Sequence, residues 1–164
     1  MQAPCFPADE ASRLATLHSL LILDSEPEER FDNLTRAAAS FFRVAIAVIS
    51  LIDDNRQWFK SVCGIDATET SRDVSFCGHT ILQPELMVIE DALLDPRFAD
   101  NPLVTDAPYI RFYAGVPLKA ENGAMLGTLC LIDRAPRTLE PFEREMLVDM
   151  GRLVEIELRR RPLA

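Results

Sequence analysis

Lysine is nearly missing from this sequence. Lys60 and Lys119 are its only two, so arginine carries almost all of the positive charge. Basic residues are outnumbered 17 to 26 by acidic ones, which leaves a formal charge of -9 and a pI near 4.7. That balance repels phosphate backbones and excludes nucleic acid as a partner of the domain as a whole. Long apolar runs are missing too. The longest, residues 44–52 broken only by Ser50, is far short of the roughly 20 residues that a membrane helix needs. Met1-Gln2-Ala3-Pro4-Cys5 carries no basic stretch ahead of an apolar one, so no secretory leader is expected. The four cysteines, Cys5, Cys63, Cys77 and Cys130, include no Cys-x-x-Cys pair, which argues against zinc and for reduced thiols in a cytoplasmic protein. The six glycines lie singly, so no phosphate-cradling loop is present.

What remains is ordinary for a folded domain: 164 residues, 48% hydrophobic and 26% charged. One domain spanning 1–164, with a core over about 10–160, is expected at this length. Asp9 can cap a first helix reaching residue 23, with Leu14, Leu17 and Leu21 at helical spacing. Ser25-Glu26-Pro27-Glu28 reads as a capping box for a second helix carrying Phe31, Leu34, Ala38, Phe41 and Phe42. The β-branched run 44–52 reads as a strand buried on both faces, followed by a turn and a second strand over 57–62. Residues 64–73 read as loop, 74–82 as a short helix, 86–89 as a short strand and 91–108 as loop with one helical turn near 101–104. Strands over 110–118 and 125–132 flank Asn122-Gly123, a hairpin signal. Thr138 can cap a last helix that ends in Arg159, Arg160 and Arg161. Hairpins join most of these strands, which makes the class α+β with an antiparallel sheet.

Several blocks carry a family resemblance. They are Leu23-Asp24-Ser25-Glu26-Pro27-Glu28-Glu29-Arg30-Phe31-Asp32, Arg56-Gln57-Trp58-Phe59-Lys60-Ser61, Ser75-Phe76-Cys77-Gly78-His79-Thr80, Asp95-Pro96-Arg97-Phe98, Arg111-Phe112-Tyr113-Ala114-Gly115-Val116-Pro117-Leu118 and Leu126-Gly127-Thr128-Leu129-Cys130. With them the chain resembles a GAF domain of the bacterial signalling kind found with histidine kinase or diguanylate cyclase domains. The resemblance implies a central antiparallel sheet with the terminal helices on one face. On the other face it implies a small-molecule pocket roofed by loops and a short helix. It also implies a homodimer built through the terminal helices and a downstream kinase or cyclase output domain.

The candidate ligand-binding residues are Trp58, Phe76, Cys77, His79, Asp91, Arg111, Tyr113 and Thr128. Arg111 and Tyr113 alternate with Phe112, so they share one strand face. An inward guanidinium there would select a planar anion. Cys77 and His79 stand two apart, roughly 200° around a helix, which argues against a shared proton and against cysteine catalysis. The expectation is a sensor with no catalytic residues, no metal and no cofactor. The alternatives are a domain resembling free methionine sulfoxide reductase and a ligand-free dimerisation module. The former's nucleophilic cysteine has no counterpart between residues 91 and 110.

Overall fold

The β-branched run forms the middle of the molecule. In the computed structural model, which describes residues 1–160, β1 (Ile46–Ile52) is buried at every position. It pairs with β2 (Arg56–Cys63) on one side and with β6 (Met125–Asp133) on the other. β6 is joined to β5 (Phe112–Lys119) by the Asn122-Gly123 turn, where Gly123 adopts φ of 86°. β3 (Glu69–Ser71) and β4 (Met87–Ile89) form the edges of an antiparallel six-stranded sheet in the order β3-β2-β1-β6-β5-β4. The α+β class read from the hairpins is therefore the observed one. β3 falls inside the segment expected to be loop, because Glu69-Thr70-Ser71 is short and lacks apolar alternation.

Three helices cover one face: α1 (Glu10–Ser19), α2 (Glu29–Phe42) and α5 (Pro141–Arg159). Leu17, Phe31, Phe42 and Leu147 from these helices meet Phe112 and Leu129 of the sheet in one buried cluster. α1 stops short of residue 23 because Leu21 takes a left-handed φ of 54° and turns its side chain outward. α2 begins at Glu29 without the expected capping box. The Ser25 hydroxyl instead donates to the Ile22 carbonyl at 2.5 Å and accepts from the buried Lys60 Nζ at 2.7 Å. In α5 the cap is Glu140 rather than Thr138, its N–H donating to Glu143 Oε1 at 3.0 Å. Arg161, expected at the end of this helix, lies outside the described residues.

The other face is covered by much shorter pieces. α3 (Cys77–Thr80), α4 (Pro102–Thr105) and two 3₁₀ turns at Arg72–Val74 and Ala92–Leu94 span it, linked by loop. The helix expected over 74–82 shrinks to one turn, because Ser75 is extended and its hydroxyl accepts from the Gly78 N–H at 3.1 Å. A bulge in β2 sets which side chains meet which cover. Ile49 pairs with Ser61 and Ser50 with Phe59, so Lys60 is the extra residue. On the near side of that bulge Gln57 and Phe59 face the short roof, while Trp58 faces the helices.

Candidate functional site

Between sheet and roof lies a cavity of about 170 Å³. Val48, Cys130 and Ile132 form its floor, Phe76, Cys77 and Leu103 its roof, and Ile65, Ala107 and Pro108 part of its rim. No acidic or basic side chain lines it. The larger grooves elsewhere are open and ringed by charges, such as the one between α5 and β5 that carries Lys119, Arg144, Glu145 and Arg152.

Gln57 supplies the polar point of the wall. It is 5% exposed, and its Nε2 donates to Thr70 Oγ1 at 3.0 Å. The Thr70 hydroxyl in turn reaches the Ser71 carbonyl at 3.1 Å. That use of the hydroxyl proton orients the Gln57 amide with Nε2 toward Thr70. Among the described residues, Gln57 Oε1 is the one buried side-chain oxygen or nitrogen without a hydrogen-bond partner. An unpaired buried acceptor costs about 1–3 kcal/mol, so this atom favours an occupant that can donate to it.

The inner wall is a cluster of hydroxyls and sulfurs. Cys77 Sγ accepts from Thr128 Oγ1 at 3.0 Å and from Tyr113 Oη at 3.3 Å, and it lies 3.9 Å from Cys130 Sγ. Ser50 Oγ sits 3.2 Å behind Thr128 Oγ1, and Thr80 Oγ1 sits 2.8 Å from Tyr113 Oη. Burial pushes the Cys77 thiol up, but hydrogen bonds from Cys130, Ser50, Thr128 and Tyr113 outweigh it and bring the thiol down to about 7. The hydrogen bond to Cys77 and burial push Cys130 up, while burial and the neighbouring sulfurs push Tyr113 up. Gly115 makes this arrangement sterically feasible, since a Cβ there would collide with the Tyr113 phenol oxygen.

The sequence candidates divide around this geometry. Phe76, Cys77 and Tyr113 line the cavity together, with Phe76 stacked on Phe98 at 4.1 Å between ring centroids. Thr128 lies behind the wall and reaches the cavity only through Cys77. His79 points away to the Gln2 carbonyl at 3.0 Å, and burial lowers its pKa. Trp58 is on the opposite face, packed under the helices, because the alternation sends its neighbours Gln57 and Phe59 to the cavity. Asp91 accepts from the Leu93 N–H at 3.0 Å, capping a 3₁₀ turn beside an open groove. Arg111 shares the roof side with Tyr113 but does not line the cavity. Its Nη1 donates to the carbonyls of Val104 and Ile110 at 2.9 and 3.0 Å and so clamps α4. Reading the sequence missed Gln57, although its alternation with Phe59 across Trp58 was the available signal.

Comparison with known proteins agrees with this architecture. The model of the GAF domain matches residues 26–158. A cyclic di-GMP phosphodiesterase of Pseudomonas aeruginosa is 45% identical over 155 residues, which cover 94% of this chain and 26% of that relative. The chain thus spans about a quarter of the length of the curated relative it matches. Among solved structures, the GAF domain of an Acinetobacter phosphoenolpyruvate-protein phosphotransferase superposes with a TM-score of 0.65 at 18% identity, covering 90% of this chain and 92% of that one. Free methionine-R-sulfoxide reductase of Neisseria meningitidis gives 0.64 at 18% identity, with 96% of each chain covered. Both structural likenesses speak to the fold alone. With the sheet, the two unlike covers and the matched span in agreement, the chain belongs to the GAF domain family.

Proposed function

We propose that this GAF domain is a non-catalytic sensory module whose ligand is a small, neutral, mostly apolar molecule with one hydrogen-bond donor. The observation that carries the reading is Gln57 Oε1, an unpaired acceptor in the wall of a cavity without charged side chains. A volume of about 170 Å³ suits a molecule of roughly one ring, since an engineered apolar cavity of about 150 Å³ holds benzene. Phe76, Cys77, Tyr113 and Gln57 would contact such a ligand, while His79 and Thr128 would support the wall from behind. An anionic ligand finds no partner in this wall, because no basic side chain lines it and Arg111 turns its Nη1 to the carbonyls of Val104 and Ile110. The zwitterionic substrate of a free methionine sulfoxide reductase is disfavoured on the same ground, and no cysteine stands between residues 91 and 110.

The signal would leave through the terminal helices. Phe142, Met146, Leu153 and Ile156 are exposed at helical spacing along α5, while Leu147, Val154 and Leu158 are buried against the sheet. The exposed stripe supports a homodimer formed through these helices. In a longer cytoplasmic signalling chain the dimer would pass pocket occupancy to an output domain. A kinase or cyclase is one such output, and the similar Pseudomonas protein is named as a cyclic di-GMP phosphodiesterase.

The test is a thermal-shift and calorimetric panel of phenol, indole, cyclic GMP and methionine sulfoxide. Phenol or indole should stabilise the protein and the charged compounds should not. Saturable binding of cyclic GMP with no response to the neutral compounds would defeat the reading. Sedimentation as a monomer well above micromolar concentration would defeat the dimer.

A further inference from the structure

We propose that Cys77 and Cys130 form a hydroperoxide-reactive dithiol in the cavity wall, Cys77 as the attacking thiol and Cys130 as the resolving one. The two sulfurs come from opposite sides of the cavity: Cys77 from α3 in the roof and Cys130 from β6 in the floor. They are 3.9 Å apart, near van der Waals contact, and no other atom needs to leave for them to meet. Two hydroxyl donors, Thr128 and Tyr113, converge on Cys77 Sγ. Ser50 Oγ and Thr80 Oγ1 stand within hydrogen-bond distance of those hydroxyls on the side away from the sulfur. A sulfur held by O–H donors is stabilised as thiolate, the nucleophilic form. A buried cysteine in plain apolar packing has no such donors, and it is correspondingly inert.

The cavity limits what reaches this sulfur. Its walls are uncharged and its volume is that of roughly one ring, so glutathione and other charged thiol reagents are excluded by size and charge. Hydrogen peroxide and short alkyl hydroperoxides are small and neutral, and each carries an O–H donor of the kind Gln57 Oε1 lacks. In the first step the Cys77 thiolate attacks the terminal peroxide oxygen. An S–O bond forms, the O–O bond breaks, and the departing water or alcohol takes up the proton that the thiol had released. Cys77 is thereby oxidised to the sulfenic acid and the peroxide is reduced. In the second step Cys130 sulfur attacks Cys77 sulfur. The S–S bond forms, the S–O bond breaks, and hydroxide leaves as water with the Cys130 proton. One hydroperoxide and two thiols give one disulfide, one water or alcohol, and one further water. Closing the gap draws α3 onto β6 and narrows the cavity between them.

This inference does not depend on the proposed ligand, since it rests on the sulfurs and hydroxyls rather than on Gln57 alone. The test uses the full chain with Cys5→Ser and Cys63→Ser, which removes the exposed and half-buried thiols. The reduced protein is treated with one equivalent of hydrogen peroxide or of tert-butyl hydroperoxide, then alkylated after denaturation and mapped by mass spectrometry. The expected product has lost two hydrogen atoms and carries a peptide linking Cys77 to Cys130. Cys130→Ser should stop at a dimedone-reactive Cys77, and Thr128→Val should slow oxidation several-fold while leaving the circular dichroism spectrum unchanged. If both thiols are still fully alkylated on denaturation after the folded protein has met a tenfold excess of peroxide, the proposal is wrong. A dimedone adduct that forms on Cys130 in Cys77→Ser as fast as on Cys77 in Cys130→Ser would also overturn it.

Discussion

Phe112 and Tyr113 are neighbours in the chain and point to opposite faces of one sheet. Phe112 is sealed on the helix-covered face, where α5 packs on β5, in a continuous apolar cluster. Tyr113 lies beneath one-turn helices and loops, and its hydroxyl joins a chain of polar atoms beside a cavity. Both side chains are fully buried, so burial alone does not distinguish the faces. What differs is the cover. Long amphipathic helices present a continuous stripe that packs densely against a sheet. Short turns linked by loop present side chains at irregular positions, and in this domain they leave a cavity.

The sharpest way to break this comparison is to truncate one residue on each side. Phe112→Ala should cost about 3–5 kcal/mol, the usual range for emptying a sealed aromatic site. Leu103→Ala in the roof should cost less than half as much, since Leu103 already borders the cavity. Urea unfolding measures both, and equal losses would mean that the two covers are equally dense. Arg111→Met comes next. It removes a charged donor from two backbone carbonyls, worth about 1.5–3 kcal/mol. It should speed hydrogen exchange in α4 without creating or abolishing affinity for any anion. Gln57→Leu should change stability by less than about 1 kcal/mol, because it removes an unpaired buried acceptor. The same change should weaken phenol or indole binding about tenfold, a difference of about 1.4 kcal/mol read by calorimetry.

A pH-dependent effect concerns Glu10 at the start of α1, which ties that helix to Arg72 in the roof. Burial raises the pKa of Glu10, but its hydrogen bonds from Arg13 and Arg72 outweigh this and hold it at about 2. The folded carboxyl is therefore depressed below its unfolded value of 4.5. Its stabilisation is present above that value and is lost as the pH falls toward 2. Urea midpoints at pH 5 and pH 2.5 should fall further for the native protein than for Glu10→Gln.

The helix-covered face was legible in the residues because periodicity is a local signal. Leu147, Val154 and Leu158 recur at helical spacing and are buried on α5, and residues 44–52 read correctly as a central strand. The roof was less legible. Residues 74–82 have helical composition, yet a Ser75 hydroxyl bond confines the helix to one turn. Of the candidate site residues, Phe76, Cys77 and Tyr113 meet at the cavity, whereas Trp58, Asp91 and Arg111 do not. Alternation says which residues share a face but not which cover that face receives. For that reason Trp58 was read as a site residue, and Gln57, its neighbour on the other face, was passed over. Arg111 illustrates the same limit, since its partners are carbonyls seven residues and one residue before it. Backbone acceptors of that kind leave no trace in the sequence.

By itself the sequence determined the α+β class and the antiparallel hairpins, which follow from local period and turn chemistry, and the family, which its residue blocks carry. Tertiary structure alone decided the rest. It brought Cys77 to within 3.9 Å of Cys130, 53 residues away, and left Gln57 Oε1 without a partner in an uncharged cavity. The scarcity of lysine has a counterpart in that outcome. One of the two, Lys60, is buried on the helix side and bound to Ser25, Glu26 and Glu28, and Arg111 is spent on carbonyls. No basic side chain lines the cavity, which is where the packing of the elements, and not the count of basic residues, decides the outcome.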